Sequence, residues 1–156
     1  MRQQEPNKVS NCIEIFIACQ KAIERRELIR RTSKSDKEFH FQNWFEDRLK
    51  ETENKYEISG RNSYPDFVLV DSAEGYEVKG LGWPGRESSY DSNSQVPTGH
   101  HNGRTIYYVF GRYPSKPKEN QYEVIDLVIC HGGFLNADRN TYIKTRVSKG
   151  LAVTET

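Results

Sequence analysis

The stretch from Tyr64-Pro65-Asp66 to Glu77-Val78-Lys79-Gly80 constrains this chain most, because it reads as one β-hairpin with charge collected on one face. Phe67-Val68-Leu69-Val70 is an apolar run of strand formers, Asp71-Ser72-Ala73-Glu74-Gly75 is rich in turn residues, and Tyr76-Glu77-Val78-Lys79 alternates. Side chains two apart in a strand share a face, so Glu77 and Lys79 point together. With a short connection that pairs Val70 with Gly75, Asp66 falls opposite Lys79 and Val68 opposite Glu77. Directly opposed residues also share a face, so Asp66, Glu77 and Lys79 converge. Parity decides the matter: a register slip of one residue sends Asp66 to the other side.

Two carboxylates and an ammonium gathered in this way have a chemical use. Hard carboxylate oxygens suit Mg2+, which takes a few carboxylates and completes its shell with water and phosphate oxygens. A neighbouring lysine can hold a water for attack on phosphorus. The plainer reading is a hairpin with one surface ion pair, Asp66 to Lys79, which contributes little. Pro65 ahead of Asp66, the apolar strands and Gly80 after the lysine favour the site over the ion pair.

At these residues the chain resembles the PD-(D/E)XK nuclease superfamily: Pro65-Asp66 matches the PD element and Glu77-Val78-Lys79 the ExK element. Their spacing and the compact size make the chain most similar to a type II restriction endonuclease, over residues 39–113. The resemblance implies an α/β fold with an αβββαβ core, a mixed central sheet flanked by helices. It implies hydrolysis of double-stranded DNA at a specific sequence, with Mg2+ as cofactor, Mn2+ as a substitute, and 5′-phosphate and 3′-hydroxyl ends. Asp66 and Glu77 would bind the metal with the Val78 carbonyl as a further ligand, and Lys79 would position the attacking water. A helix before the hairpin often supplies another acid in this superfamily, and Glu46 is the residue that matches. The alternative for Glu46 is a solvated charge on a helix that also carries Arg48 and Lys50. One site cuts one strand, so cutting both favours a homodimer that reads a palindrome.

A chain of 156 residues suits one domain with a single modest core. It divides into N-terminal helices over residues 8–54, a catalytic core over 55–131 and a C-terminal extension over 132–156. Hydrophobic residues make up only 35% and the mean hydropathy is −0.86, so much of the surface is polar. Net charge is +1, so attraction to phosphates has to come from a local patch offset by acid elsewhere. Cys12, Cys19 and Cys130 are an odd set without a CxxC pair, which argues for free thiols in a reducing cytoplasm. The polar start has no apolar signal region, and no apolar run approaches the roughly 18 residues of a membrane span. Neither GxxxxGK[ST] nor GxGxxG occurs, so no nucleotide cofactor is expected.

Along the chain, residues 8–31 read as a helix. Val9, Ile13, Phe16, Ile17, Ala22, Ile23 and Leu28 lie near one stripe, which faces the core or a second subunit, and Ser10 or Asn11 is the cap. Arg25-Arg26 and Arg30-Arg31 make its end basic, which suits a helix C-terminus or, alternatively, a phosphate-contacting edge. A second helix runs from Ser35 or Asp36 to about Glu53, with Phe41, Trp44, Phe45 and Leu49 on one face. Tyr56-Glu57-Ile58-Ser59 is the first strand, and Arg61 and Asn62 before the motif either turn the chain or, alternatively, touch phosphate.

Residues 81–103 read as a long loop dense in Gly, Pro, Ser and Asn, either a plain flexible surface loop or a DNA-recognition segment. The loop and its exit carry base-edge readers, Arg86, Asn93, Gln95, His100, His101, Asn102 and Arg104, and Trp83 and Tyr90 add flat surfaces. Residues 105–111 form a central strand. Residues 122–130 form another buried strand, or two short ones with a bend. His100-His101-Asn102 invites comparison with HNH nucleases, but a strand follows where that motif needs a helix. Cys130-His131 with His100 and His101 is a poor zinc set, because adjacent ligands chelate badly. Two rivals to the restriction reading remain. One is a structure-selective repair or recombination nuclease with the same site; the other is a non-catalytic DNA-binding module of this fold.

Overall fold

The computed structural model describes residues 11–32, 37–60, 63–85 and 96–135. Helices α1 (Asn11–Glu24) and α2 (Lys37–Glu51) are separated by a short strand, β1 (Ile29–Arg30). Then follow β2 (Tyr56–Ile58), β3 (Phe67–Leu69), β4 (Glu74–Trp83), β5 (His100–His101), β6 (Arg104–Pro114), β7 (Gln121–Tyr122), β8 (Asp126–His131) and the one-turn α3 (Gly132–Leu135). The main sheet runs β2-β3-β4-β6, and β5 and β8 share the far edge of β6. Its strand pairs are antiparallel except β4 and β6, which run parallel. The fold is therefore α/β, a mixed central sheet flanked by helices. Strands β1 and β7 pair in a separate ribbon. Among the described residues no helix is long and apolar enough to cross a membrane.

The aromatic stripe of α2 builds the core. Phe41, Trp44, Phe45 and Leu49 are all buried, as spacing of three and four residues on one helix face requires. The Phe45 ring centre lies 5.8 Å from that of Phe67 and 5.9 Å from that of Tyr76. Truncating such a ring costs about 3–5 kcal/mol. Phe41 lies directly on Gly111, where a Cβ would collide with its ring. That close approach accounts for a glycine in the middle of β6. From α1, Ile15, Cys19 and Ala22 join the same cluster. Tyr76 and Val78 of β4 belong to it too, so the alternating Glu77 and Lys79 project from the opposite face of the sheet.

The first helix is shorter than residues 8–31. It stops at Glu24 because Arg26 turns left-handed (φ 60°), its N–H bonding the Ile23 carbonyl while the Glu27 N–H reaches the Ala22 carbonyl. This is a Schellman cap. Glycine usually occupies the left-handed position, and arginine in its place leaves no mark in the sequence. The same cap ends α2, with Glu53 at φ 56° and the Asn54 N–H on the Leu49 carbonyl. The basic end of α1 is matched by acid: Arg25 pairs with Glu27 and Glu51, and Arg26 with Glu123. Arg48 of α2 is buried. Its guanidinium sits 4.6 Å from the Trp44 ring centre and 3.2 Å from the Glu51 carboxylate.

Residues 81–103 are not one long loop. Strand β4 runs on to Trp83, and β5 pairs with β6 through a two-residue turn at Asn102-Gly103, with φ of 51° and 77°. Two positive φ values in succession make the hairpin turn that Asn-Gly favours. Residues 86–95, with Arg86, Tyr90, Asn93 and Gln95, lie outside the described residues, as do Ser10, Ser35, Asp36, Arg61, Asn62 and residues 136–156. Parallel neighbours need a crossover connection, but the helix that an αβββαβ order puts between β4 and β6 is not among the described residues. Residues 122–130 divide into two short strands in different sheets, with Val124 buried in the bend between them.

Candidate active site

The hairpin register brings the site together by a different pairing from the expected one. Phe67 pairs with Tyr76 and Val68, not Val70, pairs with Gly75, a shift of two residues. Val70 has left the ladder, and its N–H bonds the Lys55 carbonyl on the β2 side. One step further along, Asp66 meets Glu77 rather than Lys79. The shift is even, so parity is kept and Asp66, Glu77 and Lys79 still share one face. Arg104 fastens the turn: its Nη1 donates to the carbonyls of Leu69 (2.7 Å), Ser72 (3.0 Å) and Glu74 (3.3 Å). Gly75 leaves room for Pro65, whose Cγ would come within 2.7 Å of a Cβ there.

Each carboxylate is held by a backbone N–H from the other arm of the hairpin. The Val78 N–H donates to Asp66 Oδ2 at 2.8 Å, and the Asp66 N–H donates to Glu77 Oε1 at 3.1 Å. Lys79 Nζ lies 3.3 Å from Glu77 Oε2. Glu77 is only 8% exposed and Lys79 only 4%. The lysine is therefore not a surface charge; it is buried beside Glu77. Burial first, and then the facing Glu77 carboxylate, push the Asp66 carboxyl up to about 7. The Val78 N–H and the Lys79 ammonium pull the other way without compensating. A desolvated carboxylate pair with too little positive charge around it is suited to a cation.

The donor set fits a hard cation. Asp66 and Glu77 offer carboxylate oxygens, and in a strand the N–H and C=O of one residue leave by the same edge, so the Val78 carbonyl points to the Asp66 side. Oxygen donors of this kind suit Mg2+ or Mn2+. Among the described residues no group of three or more His, Cys, Asp or Glu side chains is placed to hold a metal ion. Glu46 does not join the pair as a third ligand; its Oε2 accepts the Tyr56 hydroxyl at 2.6 Å.

A polar wall stands beside the carboxylates. The Tyr64 and Tyr108 hydroxyls lie 2.9 Å apart, and Tyr108 neighbours Glu77 in the parallel ladder. Tyr64 thus reaches across β4 to β6, and the His101 ring of β5 meets it edge-on, 5.0 Å between centres. Burial chiefly raises the Tyr64 phenol, helped by the Glu77 and Asp66 charges and opposed by the Tyr108 hydroxyl and the Thr98 N–H. Sequence reasoning missed Tyr64 and Tyr108. Tyr64 stands directly before Pro65-Asp66, which was a usable signal; the parallel register that brings in Tyr108 was not legible.

The supposed base readers scatter. Asn102 makes the hairpin turn, and Arg104 Nη1 is engaged with three carbonyls, so its side chain clamps the turn. His100 faces His131, with ring centres 5.7 Å apart, while His101 leans on Tyr64. Arg86, Asn93 and Gln95 fall outside the described residues. No family model matches the chain, and no curated protein or solved structure matches it either.

Proposed function

We propose that the chain is a Mg2+-dependent endonuclease of the PD-(D/E)XK superfamily, with a restriction-endonuclease-like fold, that hydrolyses double-stranded DNA at a specific sequence. One observation carries the reading: Asp66, Glu77 and buried Lys79 occupy one sheet face, with the Asp66 carboxylate on the Val78 N–H and the Glu77 carboxylate on the Asp66 N–H. In this reading Asp66, Glu77 and the Val78 carbonyl hold Mg2+, or Mn2+ in its place. The bound ion supplies Lewis acidity at the phosphate and lowers the pKa of a water. Lys79, steered by Glu77 Oε2, holds the attacking water and screens charge growing on the phosphate oxygens. These two backbone bonds across the hairpin fix both carboxylates before substrate arrives, so little reorganisation is needed on binding. A homodimer supplies one site per strand.

The test is to digest a plasmid library with Mg2+ and sequence the ends, with excess EDTA and Asp66→Asn as controls. A fixed sequence at both ends of double-strand cuts is expected. No cleavage, or cleavage undiminished in EDTA, would overturn the reading. The second reading is a structure-selective nuclease with the same site. It is favoured by the tasks of Asn102 and Arg104 in the fold, which leave fewer side chains for reading bases. Cuts gathered at flaps or junctions without a shared sequence would establish it.

A further inference from the structure

We propose that Trp83 is a stacking platform for an unpaired base of the DNA, on the sheet face that carries Asp66, Glu77 and Lys79. The proposal rests on the nuclease site that both readings above share. Side chains alternate along β4: Tyr76 and Val78 enter the helix-side core, so Glu77, Lys79, Leu81 and Trp83 share the other face. Leu81 is buried there, whereas Trp83, at the end of β4, is 43% exposed. A buried row of the sheet thus ends on an indole open to solvent.

The indole is backed by a fixed plane. The Arg112 guanidinium carbon lies 5.7 Å from the Trp83 ring centre. Asp126, the partner of Arg112 across the β6–β8 ladder, holds that guanidinium: Nε donates to Oδ1 at 2.7 Å and Nη2 donates to Oδ2. A two-pronged bond of this kind sets the guanidinium plane and neutralises its charge. Two residues past Asp126, on the same face of β8, Val128 is 52% exposed. This end of the face therefore offers flat and apolar surface with little net charge, which suits a base better than a phosphate.

Spacing and stacking say which base. Lys79 and Trp83 lie four residues apart on one strand, about 13 Å at the usual rise. DNA seated on the carboxylates and following β4 meets the indole about four nucleotides from the scissile phosphate, at the duplex rise of about 3.4 Å per nucleotide. Inside a duplex both faces of a base are covered by its neighbours, and drawing a paired base out costs at least as much as one stack returns. The platform therefore selects a base that is already unpaired, at a flap, a gap or a bulge. Every base has a flat face, so the contact reads structure and not sequence.

The test watches Trp83 directly. The chain has two tryptophans, and the other, Trp44, is only 3% exposed. Quenching of indole emission by an added oligonucleotide therefore reports on Trp83 and needs no variant. Wild type, Trp83→Ala and Trp83→Phe are titrated, with Ca2+ in place of Mg2+, against oligothymidylate, a gapped duplex and an intact duplex of the same length, and binding is followed by fluorescence anisotropy. Oligothymidylate and the gapped duplex should quench wild type, and the intact duplex should not. Trp83→Ala should bind both unpaired substrates about 5–100-fold more weakly, the loss of one base stack, and the intact duplex within about threefold of wild type. Trp83→Phe keeps a ring and should lose less than Trp83→Ala. Circular dichroism and sedimentation accompany the titrations. Equal losses on all three substrates, no loss on any, or wild-type emission untouched by oligothymidylate would overturn the proposal. A change of oligomeric state in Trp83→Ala would also overturn it, by assigning the indole to a contact between copies of the chain. Plasmid cleavage by wild type, with Asp66→Asn as control, tests the nuclease reading separately. If wild type cleaves, Asp66→Asn does not, and Trp83→Ala binds like wild type, the nuclease reading survives and this inference falls. If oligothymidylate stacks on Trp83 but wild type cleaves nothing, the platform stands as a DNA-binding surface and the nuclease reading falls.

Discussion

Asp66 Oδ2 accepts the Val78 N–H at 2.8 Å, so the ladder between β3 and β4 ends on a carboxylate instead of a carbonyl. The chain thereby places a charge in a buried sheet and points it at a second one, Glu77. The clearest consequence is a link between proton, metal and stability.

Metal-free protein should lose stability as pH rises. Burial and the Glu77 charge lift Asp66 from 3.8 to about 7 in the folded chain. A raised carboxyl contributes stability that is complete below its unfolded pKa of 3.8 and lost as pH passes about 7. In EDTA the melting temperature should therefore fall between about pH 4 and pH 8, other groups being equal. Mg2+ should restore it at the upper end, where the carboxylate is ionised and free to bind. Asp66→Asn keeps an acceptor for the Val78 N–H and removes the charge, so it should flatten this slope and erase the Mg2+ effect. Thermal melts at constant ionic strength check this; a wild-type curve that is flat in EDTA would refute it.

Lys79 is placed to matter for folding as well as for turnover. It is 4% exposed beside a Glu77 that is 8% exposed, so removing the ammonium leaves a buried carboxylate without its cation. Lys79→Met, which keeps the aliphatic stem, should abolish cleavage and destabilise the fold by about 1–3 kcal/mol. Denaturant titration and a plasmid-nicking assay read the two effects separately. Near-normal turnover in a folded Lys79→Met protein would remove the lysine from the site.

Arg104 should behave as part of the fold and not as a reader of bases. Its Nη1 serves three carbonyls of the turn that sets the hairpin register. Hydrogen bonds from a charged donor contribute about 1.5–3 kcal/mol, and Arg104→Ala should lower stability by that order. Whatever DNA affinity is lost should be lost equally on site and scrambled duplexes. Competition binding at two salt concentrations decides; a loss confined to the preferred site would return Arg104 to the recognition surface.

The site was legible where local pattern decides and hidden where distant pairing does. Alternation in Tyr76-Glu77-Val78-Lys79 fixed which residues share a face, and an even slip in register left that unchanged. The aromatic stripe of α2 was equally plain, since Phe41, Trp44, Phe45 and Leu49 are buried together. The end of α1 was hidden because Arg26 occupies the position where glycine would have signalled a stop, whereas α2 ends at Glu51, close to the expected Glu53. Asn102-Gly103 did carry a readable hairpin signal, obscured by the Gly- and Ser-rich residues before it. Burial of Glu77 and Lys79 depends on what the fold lays over that face, which no alternation pattern expresses.

Glu46 is the last of the assigned acids, and its neighbours argue for a supporting task. The Tyr56 hydroxyl donates to its Oε2 at 2.6 Å, and the Tyr56 ring stands edge-on to Phe67, 5.8 Å between centres, directly after Asp66 in the chain. Glu46 thus holds the strand next to the motif. Glutamine keeps an oxygen that can accept this bond, so Glu46→Gln should leave the single-turnover rate within about threefold at limiting Mg2+. An outer partner of a metal ligand would instead lose about 10–100-fold. Glu46→Ala removes the acceptor from a half-buried hydroxyl and should lower stability by about 1 kcal/mol, with little further change in rate. Rates across a Mg2+ titration, with melting curves alongside, separate the two. A tenfold or larger loss in Glu46→Gln that high Mg2+ rescues would show that the carboxylate works on the metal after all.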